Sequence, residues 1–388
     1  MRKLNVRQIC FWLAAVLPLS RLIVYPATLS YRAGGDLLWP ALCNLLAEGA
    51  AIALLLLLAR RTGRTFFGLL RARLGEGAAR LAALLLALFL ATEAVLPLLE
   101  QRGFVLQILY ENVPSFLSFA PLFALLLFAC TQSLRALGRA MDVALPLSAV
   151  CLPVLLLLAL PDADFAALLP LFGRGGKELA AAALHSLPWY TGAPCLLCLI
   201  GNFEYEKGCA KKVLLAYAAG GAATLAFLAV FCGVFGDIAF LQHNALAQIS
   251  KYATALTPLG RIDLLFIIAL TLVLVIAVCV PVRLCVDCLE NVFGGPRALH
   301  AALVCALLLG LTVLLDPAFR EAQAMLSERM WPLFALFGYA LPLLAALFLR
   351  ERKGRTGTPP GVFAPPRRRR SAPPAVQAGG ADKNGRTG

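Results

Sequence analysis

Charged residues are scarce in this chain. Only 14% of its 388 residues are Asp, Glu, Lys or Arg, and 61% are hydrophobic, with a mean hydropathy of +0.82. A typical soluble domain has about 25% charged and about 45–50% apolar residues. This composition excludes a soluble globular fold, a disulfide scaffold and a disordered chain, and it predicts a polytopic membrane protein.

Histidine and enzyme motifs are also lacking. The three histidines, His185, His243 and His300, are too dispersed for a metal cluster, and no G-x-S-x-G, Walker loop, H-E-x-x-H or G-x-G-x-x-G after a strand occurs. A membrane acyltransferase needs a catalytic histidine with polar neighbours, and His185 has only Ser186 beside it. We therefore expect no enzyme activity, no metal and no cofactor.

Most of the twelve cysteines stand singly within apolar segments, where they behave as small hydrophobic residues. Two pairs have C-x-x-C spacing, Cys195 with Cys198 and Cys285 with Cys288. Neither has a second pair or a histidine at the sequence spacing of a zinc site.

What the chain does contain is long apolar runs of about 18–25 residues, the length that spans about 30 Å of hydrocarbon. The runs are continuous rather than alternating, which favours helices over β-barrel strands. Ten predicted spans cover residues 9–29, 37–59, 78–99, 113–130, 141–160, 184–201, 212–235, 263–284, 298–315 and 330–349. We predict an all-α transmembrane domain over residues 1–350.

Most of the 35 lysines and arginines lie before the first span, after each even-numbered span or in the C-terminal tail. The positive-inside rule then places both termini in the cytoplasm. Residues 351–388 are rich in Pro, Gly and Arg and predict a disordered basic tail along the anionic inner leaflet. We expect the bilayer, rather than a nucleic acid, to be the partner of this positive charge.

The first predicted span carries breaks and a charge. Pro18 removes a backbone hydrogen bond, Ser20 and Arg21 follow, and Pro26 interrupts again. A buried Arg21 needs a partner or a water-filled cavity; the alternative is a kinked helix with Arg21 extended to the outer surface.

The sixth predicted span has a similar interruption. Pro188 and Pro194 bracket Trp189 to Gly192, which predicts unwound backbone near the middle of the span. The alternative is a kinked helix with Trp189 and Tyr190 at the membrane interface.

In two inverted repeats of five helices, over about 5–165 and 175–350, the first and sixth spans are equivalent. Interrupted helices at equivalent positions are typical of a transporter site at the membrane midplane, as in the LeuT-like fold. The predicted ligand-binding residues are Pro18, Leu19, Ser20, Arg21, Glu93, Trp189, Tyr190, Thr191 and Gly192, with Trp189 as a gate.

Three acidic residues are weaker candidates. Glu48 and Glu93 lie within the second and third predicted spans, where either could carry a proton. Glu48 is one turn from Asn44, and burial beside that residue is its simpler interpretation. Asp263, at the start of the eighth span, is consistent with a helix cap or a local ion pair with Arg261.

Three short motifs are YPATLSYRAGGD (Tyr25 to Asp36), LTPLGRIDLLFI (Leu256 to Ile267) and the pattern of Gly138, Arg139 and Pro146. They resemble motifs of the spore germination permease family, the B subunits of endospore germinant receptors within the amino acid–polyamine–organocation superfamily. The chain departs from the family at LPLSRL (Leu17 to Leu22), where members commonly carry glycines. Arg21 could there reshape the pocket or pair with a ligand carboxylate.

The resemblance, over about residues 4–350, implies a subunit in the spore inner membrane or the cytoplasmic membrane. It would bind a small nutrient such as an amino acid and act with a membrane subunit that has soluble domains and with a lipoprotein. The alternative is a proton- or sodium-coupled amino acid permease with Glu48 or Glu93 as the coupling carboxylate.

Overall fold

The computed structural model describes residues 3–109, 114–170, 172–252 and 263–349. Within these ranges the chain is helical, and its one β-type pairing is an isolated parallel bridge between Leu4 and Phe203. The basic tail and the Leu256 to Ile262 part of the LTPLGRIDLLFI motif lie outside the described residues.

In chain order the helices are α1 (Val6–Ser20), α2 (Tyr25–Ala33), α3 (Leu38–Thr62), α4 (Phe66–Leu109), α5 (Ser115–Thr131), α6 (Leu134–Ala159), α7 (Gly176–His185), α8 (Gly192–Leu199), α9 (Cys209–Phe235), α10 (Ala245–Tyr252), α11 (Asp263–Phe293), α12 (Arg297–Leu315), α13 (Phe319–Ala324) and α14 (Trp331–Phe348). Short 3-10 turns connect several of them. Each predicted span overlaps one helix or an interrupted pair.

Seven helical segments of the described chain are long and apolar enough to cross a membrane, judged by length and composition. They are Tyr25–Thr62, Phe66–Gln101, Leu134–Asp162, Cys209–Leu241, Ile268–Phe293, Arg297–Arg329 and Trp331–Phe348. The predicted spans 9–29, 113–130 and 184–201 correspond to shorter or interrupted helices. The chain is thus a polytopic α-helical membrane protein, and the count of ten spans stays a prediction.

The first interruption begins three residues further along the chain than Pro18. Pro18 is inside the last turn of α1, and the non-helical residues are Arg21 to Val24. Since Pro18 has no N–H to donate, the turn before it, Trp12–Val16, widens to a π-helix. Pro26 then occupies the first turn of α2, where a missing N–H costs nothing.

The second interruption separates α7 from α8. A short 3-10 turn, Leu187–Trp189, starts with Pro188 near its N-terminus, and Tyr190 and Thr191 are non-helical. Helix α8 then begins at Gly192 with Pro194 in its first turn. Both interruptions are buried among α3, α4 and α9, so their polar groups need partners inside the protein.

Candidate ligand site at the two helix breaks

Arg21 links the two interruptions. Its Nε donates a hydrogen bond to the backbone oxygen of Trp189 (2.8 Å), and its guanidinium carbon lies 4.2 Å from the centre of the Tyr190 ring. Its Nη2 is 2.5 Å from Oε2 of Glu48, and only 1% of the side chain is exposed. The expectation of a buried partner is met by Glu48, and the alternative of Arg21 reaching the outer surface is wrong.

Glu48, on α3, is surrounded by donors. Its Oε2 accepts from Arg21 and from the hydroxyl of Tyr217 on α9 (2.6 Å), and its Oε1 accepts from the backbone N–H of Gly192 (2.8 Å). These donors are a cation, a hydroxyl and the N-terminal N–H of a helix, and each forms a favourable hydrogen bond with a carboxylate oxygen. Glu48 therefore joins α3, α8, α9 and the first break in one hydrogen-bonded centre.

Asn44 and Glu48 are both buried one turn apart on α3, as the sequence suggested, but their hydrogen-bond partners differ. Its Nδ2 donates to the backbone oxygen of Ala183 and to Oγ of Ser186, both at 2.8 Å. Asn44 thereby holds the C-terminal end of α7 against α3, next to the second interruption.

Aromatic side chains cover this centre. The hydroxyls of Tyr25 and Tyr190 are 2.9 Å apart, and the Tyr190 hydroxyl also donates to the backbone oxygen of Ala41 at 3.3 Å. The Tyr25 and Trp189 ring centres are 5.5 Å apart. Trp189 and Tyr190 are buried inside the protein, so their placement in an interfacial belt is wrong.

Two further carboxyl groups lie on α4. Glu100 accepts from Nε1 of Trp189 (3.0 Å), and Glu93 accepts from the thiol of Cys195 (3.5 Å), with Thr191 beside it. Both are buried, and neither has a basic partner within the described part of the chain. The second interruption thus has Glu48 on one side and the buried carboxyls of Glu93 and Glu100 on the other.

The observed contacts of Pro18, Leu19 and Ser20 are with α9, the apolar core and α1 itself. A Cβ atom at Gly220 on α9 would lie 2.5 Å from Cγ of Pro18, so Pro18 packs on α9. The Ser20 hydroxyl donates to the backbone oxygen of Leu17 (2.7 Å), and Leu19 is buried in the core. Of the predicted residues, Arg21, Trp189, Tyr190 and Gly192 meet around Glu48, and Thr191 and Glu93 lie next to them.

The backbone groups of the interruptions are largely bonded within the chain. The backbone oxygens of Leu22 and Ile23 accept from the N–H groups of Leu246 and Ala245, at the start of α10. The backbone oxygen of Trp189 accepts from Arg21, and the backbone N–H of Gly192 donates to Glu48. A ligand at this centre must therefore compete with groups of the protein.

Among the described residues, one buried hydroxyl has no hydrogen-bond partner. Tyr339 lies in the π-helical turn Leu336–Ala340 of α14, and its hydroxyl oxygen is enclosed without a hydrogen bond. It is close enough to Glu48, Arg21 and Tyr190 to interact electrostatically with them. Tyr25, Glu100, Tyr217 and Tyr339 were missed from the sequence, where each is a single polar residue in or beside an apolar segment.

The stretch Ala33 to Asp36, the end of the YPATLSYRAGGD motif, contacts the segment that precedes α7. Asp36 accepts from the backbone N–H groups of Phe172 (2.6 Å) and Arg174 (3.2 Å). A Cβ atom at Gly35 would lie 2.6 Å from the backbone oxygen of Ala167. These contacts hold the segment before α7 beside an open cavity of about 590 Å³ lined by Gly34, Gly35 and Arg174.

The fold and this centre define a helical integral membrane protein with two interrupted helices joined by a buried ion pair. The sequence model of the spore germination permease family, described as spore germination protein, matches residues 42–319. The chain belongs to this family. A comparison with curated protein sequences finds no match.

Proposed function

We propose that this chain is the membrane-embedded subunit of a spore germinant receptor and that it senses a small nutrient, most simply an amino acid, between its two interrupted helices. The observation that carries the proposal is the contact set of Glu48. Its carboxylate holds the N–H of Gly192 and the guanidinium of Arg21 together. Those are the two kinds of group that bind a ligand carboxylate.

In this proposal Glu48 occupies the carboxylate position when no nutrient is bound. A ligand carboxylate competes for the Gly192 N–H, and the Tyr339 hydroxyl, which has no partner, supplies a further hydrogen bond. A ligand that contacts both interruptions stabilises one arrangement of the helices over the other, and that difference is the signal. Trp189 serves as the gate because it contacts Arg21 on one side and Glu100 on the other.

The proposal also covers the number and arrangement of the spans, the orientation of the termini and the partner subunits. Ten spans form a LeuT-like pair of inverted five-helix repeats, with the interruptions near the membrane midplane. Both termini face the cytoplasm, as the distribution of Lys and Arg favours. The protein lies in the spore inner membrane and acts with a membrane subunit that has soluble domains and with a lipoprotein.

The alternative is a proton- or sodium-coupled amino acid permease. It is favoured by Glu93 and Glu100, two buried carboxyl groups that lack basic partners among the described residues. Such groups inside a membrane protein either hold a proton or bind a cation.

Two assays separate the candidates. Nutrient-triggered germination is measured in spores that lack the gene, and uptake of labelled amino acids is measured in vesicles that contain the protein. A germination defect restored by the gene, with no uptake, supports the receptor subunit. Uptake without a germination defect overturns it in favour of the permease.

A further inference from the structure

A second cavity, distinct from the interruptions, lies at the end of the bundle that carries the N-terminus. It has a volume of about 830 Å³ and is lined by the N-terminal segment, the start of α6, the end of α11 and the start of α12. This volume is within the range of small-molecule sites, about 300–1,000 Å³.

The lining of this cavity is basic. Its positively charged residues are Lys3, Arg135, Arg139, Arg283 and Arg297. Arg283 bonds Asp287, and Arg297 is 2.9 Å from Glu290, so those two arginines are compensated. Lys3, Arg135 and Arg139 have no ion pair within the described ranges.

Two of these arginines lie at helix N-termini, which adds to the excess of positive charge at the cavity. Arg135 is the second residue of α6 and Arg297 is the first residue of α12, and neither helix has an acidic residue in its first turn. A helix N-terminus carries partial positive charge and free N–H groups, so acidic residues are the favourable ones there. Glu290 offsets Arg297, but Arg135 and Arg139 lie one turn apart on α6 without an ion pair in the described ranges, and they repel each other unless an anion is present.

We propose that this cavity binds a phosphate group. Guanidinium groups match phosphate oxygens with paired hydrogen bonds, and helix N-termini add N–H donors. Ser133, which caps α6 by accepting from the N–H of Ala136, keeps its own hydroxyl proton to donate. An anionic lipid headgroup and a soluble phosphate ester both present this chemistry.

A phosphate bound in this cavity would act on the two interrupted helices through the segment that contains Lys3. Lys3 precedes Leu4, whose N–H donates to the backbone oxygen of Asn202 (2.9 Å) and whose oxygen accepts from the N–H of Glu204 (3.2 Å). The bonded pair joins the segment before α1 to the segment after α8. A phosphate between Lys3 and Arg139 ties this joint to α6 and stabilises it.

The test uses the full-length protein in phosphatidylcholine nanodiscs and follows its thermal unfolding midpoint. Two arms add either phosphatidylglycerol to the disc or glycerol phosphate to the buffer. The cavity variant carries Arg135→Gln with Arg139→Gln, and the matched control carries Arg60→Gln with Arg61→Gln, which removes the same charge from exposed positions outside the cavity lining. Each arginine–phosphate hydrogen bond that is lost is expected to weaken binding about tenfold, so the cavity variant should lose about a hundredfold in affinity relative to the control.

Without anion the cavity variant should unfold at the wild-type temperature or higher, because a repulsion has been removed. With anion only the wild type and the control should be stabilised. Stabilisation in the lipid arm alone identifies the headgroup as the source, and stabilisation by glycerol phosphate identifies a soluble ester. Equal losses in both variants, or no stabilisation of the wild type in either arm, overturn the proposal.

Discussion

Arg21 and Glu48 are 27 residues apart in sequence and form an ion pair that both interrupted helices share. Nη2 and Oε2 are 2.5 Å apart, and each side chain is 1% exposed. Because the same carboxylate binds Gly192 and the same guanidinium binds Trp189, neither break can move far without disturbing this pair.

Replacing Glu48 by Gln is expected to destabilise the protein by about 3–5 kcal/mol, since the buried Arg21 charge is left without a counter-ion. The measurement is the thermal unfolding midpoint of the purified protein. Glu178→Gln, at an exposed position in the first turn of α7, is the matched control and should lower the midpoint by much less.

A double variant, Arg21→Met with Glu48→Gln, removes both charges and should recover much of the loss, because the remaining groups need no counter-ion. If Glu48→Gln is as stable as Glu178→Gln, the ion pair contributes nothing to the joint between the breaks.

Gly220 is expected to be essential for packing α1 on α9. A Cβ atom there would lie 2.6 Å from the backbone oxygen of Leu13 and 2.5 Å from Pro18. Overpacking of this kind typically costs about 1–3 kcal/mol. Gly220→Ala should lower the unfolding midpoint, whereas Gly310→Ala, whose Cβ would have no neighbour within 4 Å, should raise it slightly. Equal midpoints for the two variants would contradict this packing.

Asp36 is expected to hold the segment before α7 in place. Asp36→Ala removes the acceptor for the N–H groups of Phe172 and Arg174. Trypsin should then cleave after Arg174 faster, by severalfold, in a time course followed by mass spectrometry. Asp237→Ala removes an acidic group from the lining of the cavity beside this segment and is the control; an equal increase in that variant would assign the effect to charge alone.

Two tyrosines should separate ligand recognition from stability. The Tyr217 hydroxyl donates to Glu48 at 2.6 Å, so Tyr217→Phe should lose about 1–3 kcal/mol of stability. The Tyr339 hydroxyl has no partner, so Tyr339→Phe should unfold at the wild-type temperature or above. A large loss of stability in Tyr339→Phe would mean that its hydroxyl is bonded within the protein.

The apolar runs were sufficient to predict the helices, since hydrocarbon thickness sets their length and each predicted span overlaps a helix. The prolines also predicted interruptions close to their observed positions. The first was misplaced because a helix accommodates Pro18 by widening the preceding turn, and it ends only where Pro26 starts a new helix.

The partners of polar residues were harder to predict. Glu48 and Asn44 are one turn apart, yet Glu48 bonds Arg21 and Asn44 bonds α7. Tertiary packing, rather than the local sequence, determines these partners. The local sequence cannot show that Tyr217 and Tyr339 reach Glu48 from distant helices. Similarly, Cys198 and Cys288 come from separate C-x-x-C pairs and lie side by side, while no group of three or more metal-binding side chains occurs among the described residues.

Ligand sensing at the interrupted helices is tested most directly by a germination dose–response with a panel of amino acids. Spores without their own copy of the gene carry either the wild-type chain or Tyr339→Phe, with equal protein amounts verified by immunoblot. Sensing at this centre predicts that Tyr339→Phe requires roughly tenfold more nutrient for half-maximal germination, since one hydrogen bond to a charged ligand contributes about 1.5–3 kcal/mol. An unchanged dose–response at equal protein amounts would contradict it.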